Sequence, residues 1–151
     1  MTPAPVIWSE TVRDEWVDYN GHLSEAYYVL VFGHATDAVM ESVGLGAAYR
    51  EATAASLFTV EAHIRYLDQV AGGARLEVRS SVVGATGKLL RIWHEMYAED
   101  RLRATEEILG VHVDTTTGRS SPFPASVAER IRGASAPLPD GAGRAVRLPT
   151  G

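Results

Sequence analysis

A short polar cluster near the start of the chain carries the residues best suited to chemistry. The segment Asp18-Tyr19-Asn20-Gly21-His22 combines a carboxylate, an amide and an imidazole around a glycine, which is typical of a turn. Ser24 follows as a predicted N-cap, and Glu25 suits the positive end of a helix. A carboxylate beside free N–H groups suits acyl transfer, because the amides stabilise an oxyanion while the carboxylate attacks carbon or activates water. An ordinary capping turn has the same pattern, so the residues alone leave both interpretations open.

A second candidate pair consists of Glu61 and His63. The two residues lie two apart in an alternating segment, so their side chains point to one face of a strand. They could serve acid–base chemistry or contact a substrate, and a cross-strand ion pair on a polar sheet face is the alternative. The other strand and helix histidines, His34, His94 and His112, are scattered, so no set of metal ligands is indicated. We expect neither a metal nor a cofactor.

One α+β domain must position these candidates. The long helix is apolar on nearly every side in its first half, which predicts burial all round. A curved antiparallel sheet could cover most of it, and a partner subunit the rest. Gly44 and Gly46 are expected to end this helix. The predicted elements are a strand over 6–13, the helix over 26–43, strands over 57–67, 74–83, 88–97 and 102–114, and a short helix over 124–133.

The first long strand shows a period of two. Phe58, Val60, Ala62, Ile64 and Tyr66 are expected on one face. The residues between them, which include Glu61 and His63, are then expected on the other.

Bulk composition narrows the class of function. The 151 residues carry a net charge of −5 with no basic stripe, so nucleic acid is a poor candidate partner. Cysteine is absent and no apolar run is long enough for a membrane span, which predicts a cytoplasmic protein. We expect a domain over residues 1–133 and a flexible or loosely docked tail over 134–151, where Ala, Pro, Gly and Arg dominate.

The polar cluster resembles the signature of hotdog-fold thioesterases of the 4-hydroxybenzoyl-CoA type. That signature is Asp, two variable residues, Gly and often His, found here from Asp18 to His22, followed by an aromatic-rich helix with Tyr27-Tyr28. The similarity covers roughly residues 6–132 and is greatest to betainyl-CoA thioesterases of carnitine breakdown, including those fused to carnitine dehydrogenases. Further similar segments lie at residues 59–67, 105–109, 112–114, 118–119 and 122–124.

The resemblance implies a five-stranded antiparallel sheet around a long central helix. It implies a homodimer whose sheets join edge to edge, or a tetramer of two such dimers, with active sites at the subunit interface. Asp18 would be the catalytic carboxylate, and the N–H groups near Ser24 and Glu25 would polarise the thioester. Asn20 and His22 would contact substrate. Relatives often carry Asn where Ser24 stands, so any substrate contact made by that asparagine side chain would fall to a hydroxyl here.

The implied activity is hydrolysis of a small acyl-CoA, with betainyl-CoA favoured over another short-chain or an aromatic thioester. A trimethylammonium group would be held by aromatic faces, with Glu61 as a counter-charge. The aromatic candidates are Trp16, Tyr19, Tyr27, Tyr28, Tyr66 and Trp93. The candidates for the CoA phosphates are Arg65, Lys88, Arg91 and Arg119.

Two other functions stay open from the sequence. A hotdog hydratase or dehydratase could use Asp18 with His22, which is four residues further on. A non-catalytic acyl-CoA binding module is the other alternative, although such a module has no evident need for a carboxylate beside a thioester.

Overall fold

One antiparallel sheet and one long helix make up most of the fold. The computed structural model describes residues 1–150. The strands are β1 (Val6–Thr11), β2 (Ala55–Tyr66), β3 (Arg75–Ala85), β4 (Leu89–Ala98), β5 (Arg101–Asp114) and the two-residue β6 (Arg119–Ser120). The helices are α1 (Glu25–Ser42), α2 (Ala47–Thr53) and α3 (Ala125–Ala134), with a 3-10 turn at Asp14–Trp16. The strand order is β1-β3-β4-β5-β2, with β6 paired to β5, so the predicted α+β class and the five main strands are confirmed.

Helix α1 packs across one face of the sheet, over β1, β3 and β4. Its buried side chains recur every three or four residues and so form one face of the helix. They are Tyr28, Val31, Phe32, Ala35, Thr36, Val39 and Met40. On the opposite side, Val29 and Leu30 keep exposures of 43% and 41%. The single chain therefore leaves one side of the helix uncovered, because one sheet covers only one side of a helix, and the predicted cover by a partner subunit stays a prediction.

A β-bulge divides the edge strand β2 into two segments of opposite phase. Its register with β5 shifts between Thr59 and Glu61, which leaves Val60 as an extra residue. Thr59 and Ala62 both line the groove beside α1, although they are three residues apart. The predicted alternation, which placed Phe58 and Val60 on the same face as Ala62, is wrong because the bulge reverses the phase.

Two connecting segments differ from the predictions or add to them. Helix α2 was not predicted; it begins directly after Gly46, which serves as its N-cap. The segment after α3 first pairs with β3 beyond the end of β1, where the Ala136 N–H donates to the Val82 carbonyl at 2.8 Å. It then reaches the outer face of the sheet, away from α1, where the Gly143 N–H donates to Glu107 Oε1 at 2.7 Å.

A buried cluster fixes the start of α1 against the sheet. Trp16 of the 3-10 turn, Leu23 and Tyr28 are each 4% exposed and pack with Leu76 and Met96 of the sheet. This packing sets the position of the segment between Trp16 and α1. No helix within residues 1–150 is both long and apolar enough to cross a membrane. The cytoplasmic location stays a prediction.

Candidate active site

A tight turn between the 3-10 segment and α1 holds the predicted catalytic residue. Val17 and Leu23 form an isolated antiparallel bridge, and the Asp18 N–H donates to the His22 carbonyl at 2.8 Å. Gly21 closes the turn with a φ of +79°, and its N–H donates to the Asp18 carbonyl at 3.0 Å. A side chain at position 21 would meet no neighbouring atom, but the backbone conformation would be strained. The glycine therefore fixes the geometry in which Asp18 is presented.

The two carboxylate oxygens of Asp18 have different surroundings. Oδ1 accepts hydrogen bonds from the backbone N–H groups of Asn20 at 2.9 Å and His22 at 3.2 Å. Within residues 1–150 no hydrogen bond reaches Oδ2, and the residue is half-buried rather than sealed off. Asp18 thus caps its own turn with one oxygen, as the alternative interpretation expects, and keeps the other oxygen free to react. Asn20 is exposed, and its side chain forms no hydrogen bond to residues 1–150.

The start of α1 offers backbone donors next to this turn. Ser24 is the N-cap residue, as predicted, but its side chain makes no capping hydrogen bond. Its N–H donates to the Trp16 carbonyl, and the Tyr27 N–H donates to the Ser24 carbonyl, both at 2.9 Å. Within the described chain the N–H groups of Glu25 and Ala26 have no acceptor. These two amides are suited to stabilise a developing oxyanion.

A cleft of about 440 Å³ lies between the start of α1 and the end of β2. Glu25, Tyr28, Tyr66 and Asp68 line it. The rings of Tyr28 and Tyr66 meet edge to face with centroids 5.1 Å apart. The Tyr66 hydroxyl lies 3.4 Å from the Glu25 carbonyl, to which it donates. Burial raises the pKa of both tyrosines, so they present neutral phenols to the cleft. Glu25 and Tyr28 are therefore brought together as the sequence predicts, with Tyr66 beside them.

A second, smaller cleft lies beside His22. We call it the basic cleft because it contains two arginines, although Glu99 also lines it and Asp68 pairs with both arginines. Arg101 and Arg103 line it together with Gln69. Arg103 is anchored by a 2.8 Å hydrogen bond to the Gln69 carbonyl, whereas Arg101 is largely exposed and pairs with Asp68 at 2.5 Å. The sequence-based list of phosphate-binding candidates omitted both arginines, because only the folded turn shows that they lie beside the Asp18 segment.

Comparison with known proteins gives these features a context. The model of the Thioesterase-like superfamily matches residues 12–131, which include the Asp18 turn, α1 and strands β2 to β5. The chain belongs to this superfamily.

Several relatives of this thioesterase are similar over its full length. The betainyl-CoA thioesterase of Pseudomonas aeruginosa is 40% identical over 157 residues, which cover 99% of this chain and 98% of the relative. The L-carnitine dehydrogenase/betainyl-CoA thioesterase of Agrobacterium fabrum is 44% identical over 91% of this chain and 30% of its own length. A hypothetical protein from Staphylococcus aureus, solved in complex with CoA, superimposes with a TM-score of 0.89 at 27% identity, covering 99% and 98% of the two chains. The hotdog fold that the sequence implied is confirmed.

A groove of about 490 Å³ runs along the exposed side of α1 in this thioesterase. Val29 and Leu30 of α1 face Ala62 of β2 and Ile108 of β5 across it. The groove also contains Glu106, which is 4% exposed and whose pKa burial raises to about 7. Sequence reasoning did not single out Glu106, although its alternation with Ile108 on β5 was a usable signal for an inward-facing side chain.

The structure does not bring Glu61 and His63 to the Asp18 turn of the same chain. They share a strand face, as predicted, but it is the outer face of the sheet, where they line a separate pocket with Arg91 and Glu107. Glu107 lies opposite His63 in the register and hydrogen-bonds Arg91 at 2.6 Å instead. Their role as substrate-binding residues stays a prediction without support from the single chain. In residues 1–150 no three His, Asp or Glu side chains converge as metal ligands would.

Proposed function

We propose that this chain hydrolyses acyl-CoA thioesters, with betainyl-CoA as the preferred substrate and Asp18 as the catalytic carboxylate. The observation that carries the proposal is the asymmetry of that carboxylate. Two turn amides hold Oδ1, while Oδ2 is left without a partner next to the free amides of the α1 start. A carboxylate oxygen without a partner and free amide donors a few residues further along the chain support a nucleophile or base that acts together with an oxyanion site.

Two chemical routes fit this geometry. Oδ2 of Asp18 can attack the thioester carbon, releasing CoA thiolate and leaving a mixed anhydride that water then hydrolyses. Alternatively, the carboxylate takes a proton from water, and the resulting hydroxide attacks the same carbon. In both routes the N–H groups of Glu25 and Ala26 stabilise the tetrahedral oxyanion before the C–S bond breaks.

The acyl preference is supported by the relatives and by the lining of the cleft. A full-length relative is a betainyl-CoA thioesterase, and others carry the same activity in their names. The aromatic faces of Tyr28 and Tyr66 suit a trimethylammonium group, which aromatic rings attract through their negative faces. Arg101 and Arg103 beside His22 suit the phosphates of CoA.

The contacts of Asp18 do not favour a hydratase or dehydratase. Its carboxylate accepts from the backbone N–H of His22, and within the described residues no hydrogen bond joins it to the imidazole. The His22 ring lines the basic cleft instead. The side-chain pair that such chemistry would use is therefore not formed.

Turnover tests the assignment of Asp18. The purified chain is incubated with betainyl, short-chain, long-chain and aromatic CoA thioesters, and free thiol is followed. Asp18→Asn preserves an oxygen for the two turn amides, so we expect the fold to survive while kcat/KM falls at least about 10³-fold. Asp14→Asn, at the start of the adjacent 3-10 turn, is the matched control and should keep wild-type activity. Full activity in Asp18→Asn would refute the assignment, and ligand-dependent stabilisation without any turnover would indicate a binding module.

Heavy-oxygen water distinguishes the two routes. In a single turnover in H₂¹⁸O, label recovered in the Asp18 carboxylate supports the anhydride. Label found only in the released acid favours general-base activation of water.

We also propose that the chain forms a homodimer through the free edge of β2, and that two such dimers can pair. Phe58 and Val60 on this edge keep exposures of 48% and 59%. Val29 and Leu30 are exposed on the uncovered side of α1. An edge strand with unpaired backbone groups and apolar side chains is suited to pairing with a second copy.

A further inference from the structure

A buried carboxyl group in the groove beside α1 has no partner in the chain. Glu106 lies on the inner face of β5, opposite Ile64 and His94 in the strand register. Within residues 1–150 its side chain forms no hydrogen bond, although only 4% of the residue is exposed. Most of the groove around it is apolar, with Val29 and Leu30 among its walls. Its carboxyl oxygens are not among the fully buried atoms that lack a partner, so they open onto the groove. A carboxyl with so little solvent around it is costly to ionise, and a positive charge in the groove would stabilise it.

The nearest basic side chain does not neutralise Glu106. His94 Nε2 is 3.9 Å from Glu106 Oε1, beyond hydrogen-bonding distance. The imidazole is held instead by Thr36 Oγ1 at 2.9 Å and Ser80 Oγ at 2.6 Å. Burial lowers the pKa of His94 to about 3, so the ring is neutral near pH 7. The groove therefore contains a carboxyl group and no positive charge to match it.

The other titratable side chains of the groove strengthen this imbalance. Asp37 adds a second carboxyl, and His34 is turned to Glu10, which lies 2.6 Å from its Nδ1. Neither supplies a free cation to Glu106. The groove is thus suited to a positively charged guest whose remaining surface is apolar.

Tyr66 links the surroundings of Glu106 to the start of α1. Tyr66 pairs with Ala104, two residues from Glu106 along β5, a separation of about 7 Å. Its hydroxyl reaches the Glu25 carbonyl, and the pKa of its phenol is raised by burial and by the negative charges of both Glu25 and Glu106. Tyr66 therefore lies between the proposed oxyanion site and the buried carboxyl group.

We propose that Glu106 is the specificity-determining counter-charge for a cationic acyl group, and that it selects a quaternary ammonium over a neutral group of the same shape. This inference rests on the proposed thioesterase function and deepens it. The methyl groups of a trimethylammonium would pack on the apolar walls, and its charge would be balanced by Glu106 and by the face of Tyr66. In this role Glu106 takes the place that the sequence interpretation gave to Glu61.

Two isosteric substrates test the inference. Betainyl-CoA and 3,3-dimethylbutanoyl-CoA differ only in a quaternary nitrogen replaced by carbon. For the wild-type chain we expect kcat/KM to be higher for the cationic thioester. In Glu106→Gln we expect it to fall about 10- to 100-fold for betainyl-CoA and no more than about 3-fold for the neutral isostere. The ratio of the two values does not depend on the fraction of folded enzyme, so partial unfolding cannot imitate the result.

Glu107→Gln provides the matched control. Glu107 is the neighbouring carboxylate on the outer face of the sheet, bound to Arg91. Its replacement should leave the substrate ratio unchanged. Equal losses on both substrates in Glu106→Gln, or a wild-type chain that hydrolyses both equally well, would overturn the inference alone. A wild-type chain that hydrolyses no thioester would overturn the proposed function, and this inference with it.

Discussion

The buried carboxyl of Glu106 predicts an unusual dependence of stability on pH. Burial raises its pKa to about 7 from an ordinary value of 4.5. Below pH 4.5 the group is protonated in both the folded and the unfolded chain. As the pH rises from 4.5 to 7, the unfolded chain releases this proton more readily, so the folded state loses stability. Each pKa unit corresponds to about 1.4 kcal/mol, so the loss is about 3 kcal/mol and is complete above pH 7.

Glu106→Gln removes this loss because glutamine does not ionise. The free energy of unfolding of the variant, relative to wild type, should therefore rise by about 3 kcal/mol between pH 4.5 and pH 8. Urea denaturation at a fixed protein concentration measures it, with Glu107→Gln as the control. The neutral His94 makes stability fall as the pH drops from 6.5 towards 3, but wild type and variant share that contribution. A difference between the two proteins that stays constant with pH would refute the reasoning.

Three further predictions address the turn, the basic cleft and the free edge. Gly21→Ala should lower the free energy of unfolding, measured by urea denaturation, by about 1 kcal/mol, because alanine is strained at a φ of +79°. It should also lower kcat, measured by thiol release, and unchanged values of both quantities would contradict the role of the turn. Arg101→Ala should raise KM for CoA thioesters about 3- to 10-fold with little change in kcat, whereas Arg132→Ala, at an exposed arginine on α3, should leave KM unchanged. Equal effects of the two substitutions on KM would argue against phosphate binding in the cleft. Phe58→Glu on β2 should yield monomers by light scattering, whereas Ile7→Glu, at a residue exposed to 49% on the opposite edge β1, should leave the dimer intact. Dimers in Phe58→Glu together with monomers in Ile7→Glu would place the interface elsewhere.

The parts of the fold that follow a regular period were predictable. Alternation located the strands, and the apolar run located α1 to within a residue of its observed ends. The bulge at Val60 was not predictable, because an extra residue in an apolar segment leaves the side-chain types unchanged while reversing the faces. The bulge leaves the pair Glu61 and His63 on one shared face, as predicted, and their role as substrate-binding residues stays a prediction.

The site itself was only partly predictable. Asp18 and the start of α1 are contiguous in sequence, so a local pattern was enough to bring them together. Glu106 was missed because glutamate is ordinarily exposed, and its burial depends on α1 packing over the neighbouring strands. Arg101 was missed for a similar reason: it reaches the neighbourhood of His22 only through the pairing of β4 with β5.

The irregularity in β2 also limits which strands can add to that edge. A regular extended peptide can continue its ladder along residues 55–59 or along 61–66, but it loses register where the two segments meet. The bulge thereby discourages indiscriminate strand addition, the usual hazard of a sheet edge, and it adds to the effect of the charged residues Glu61 and Arg65 in the same strand. A partner strand that accommodates the one-residue shift at Val60 can form backbone hydrogen bonds with both segments.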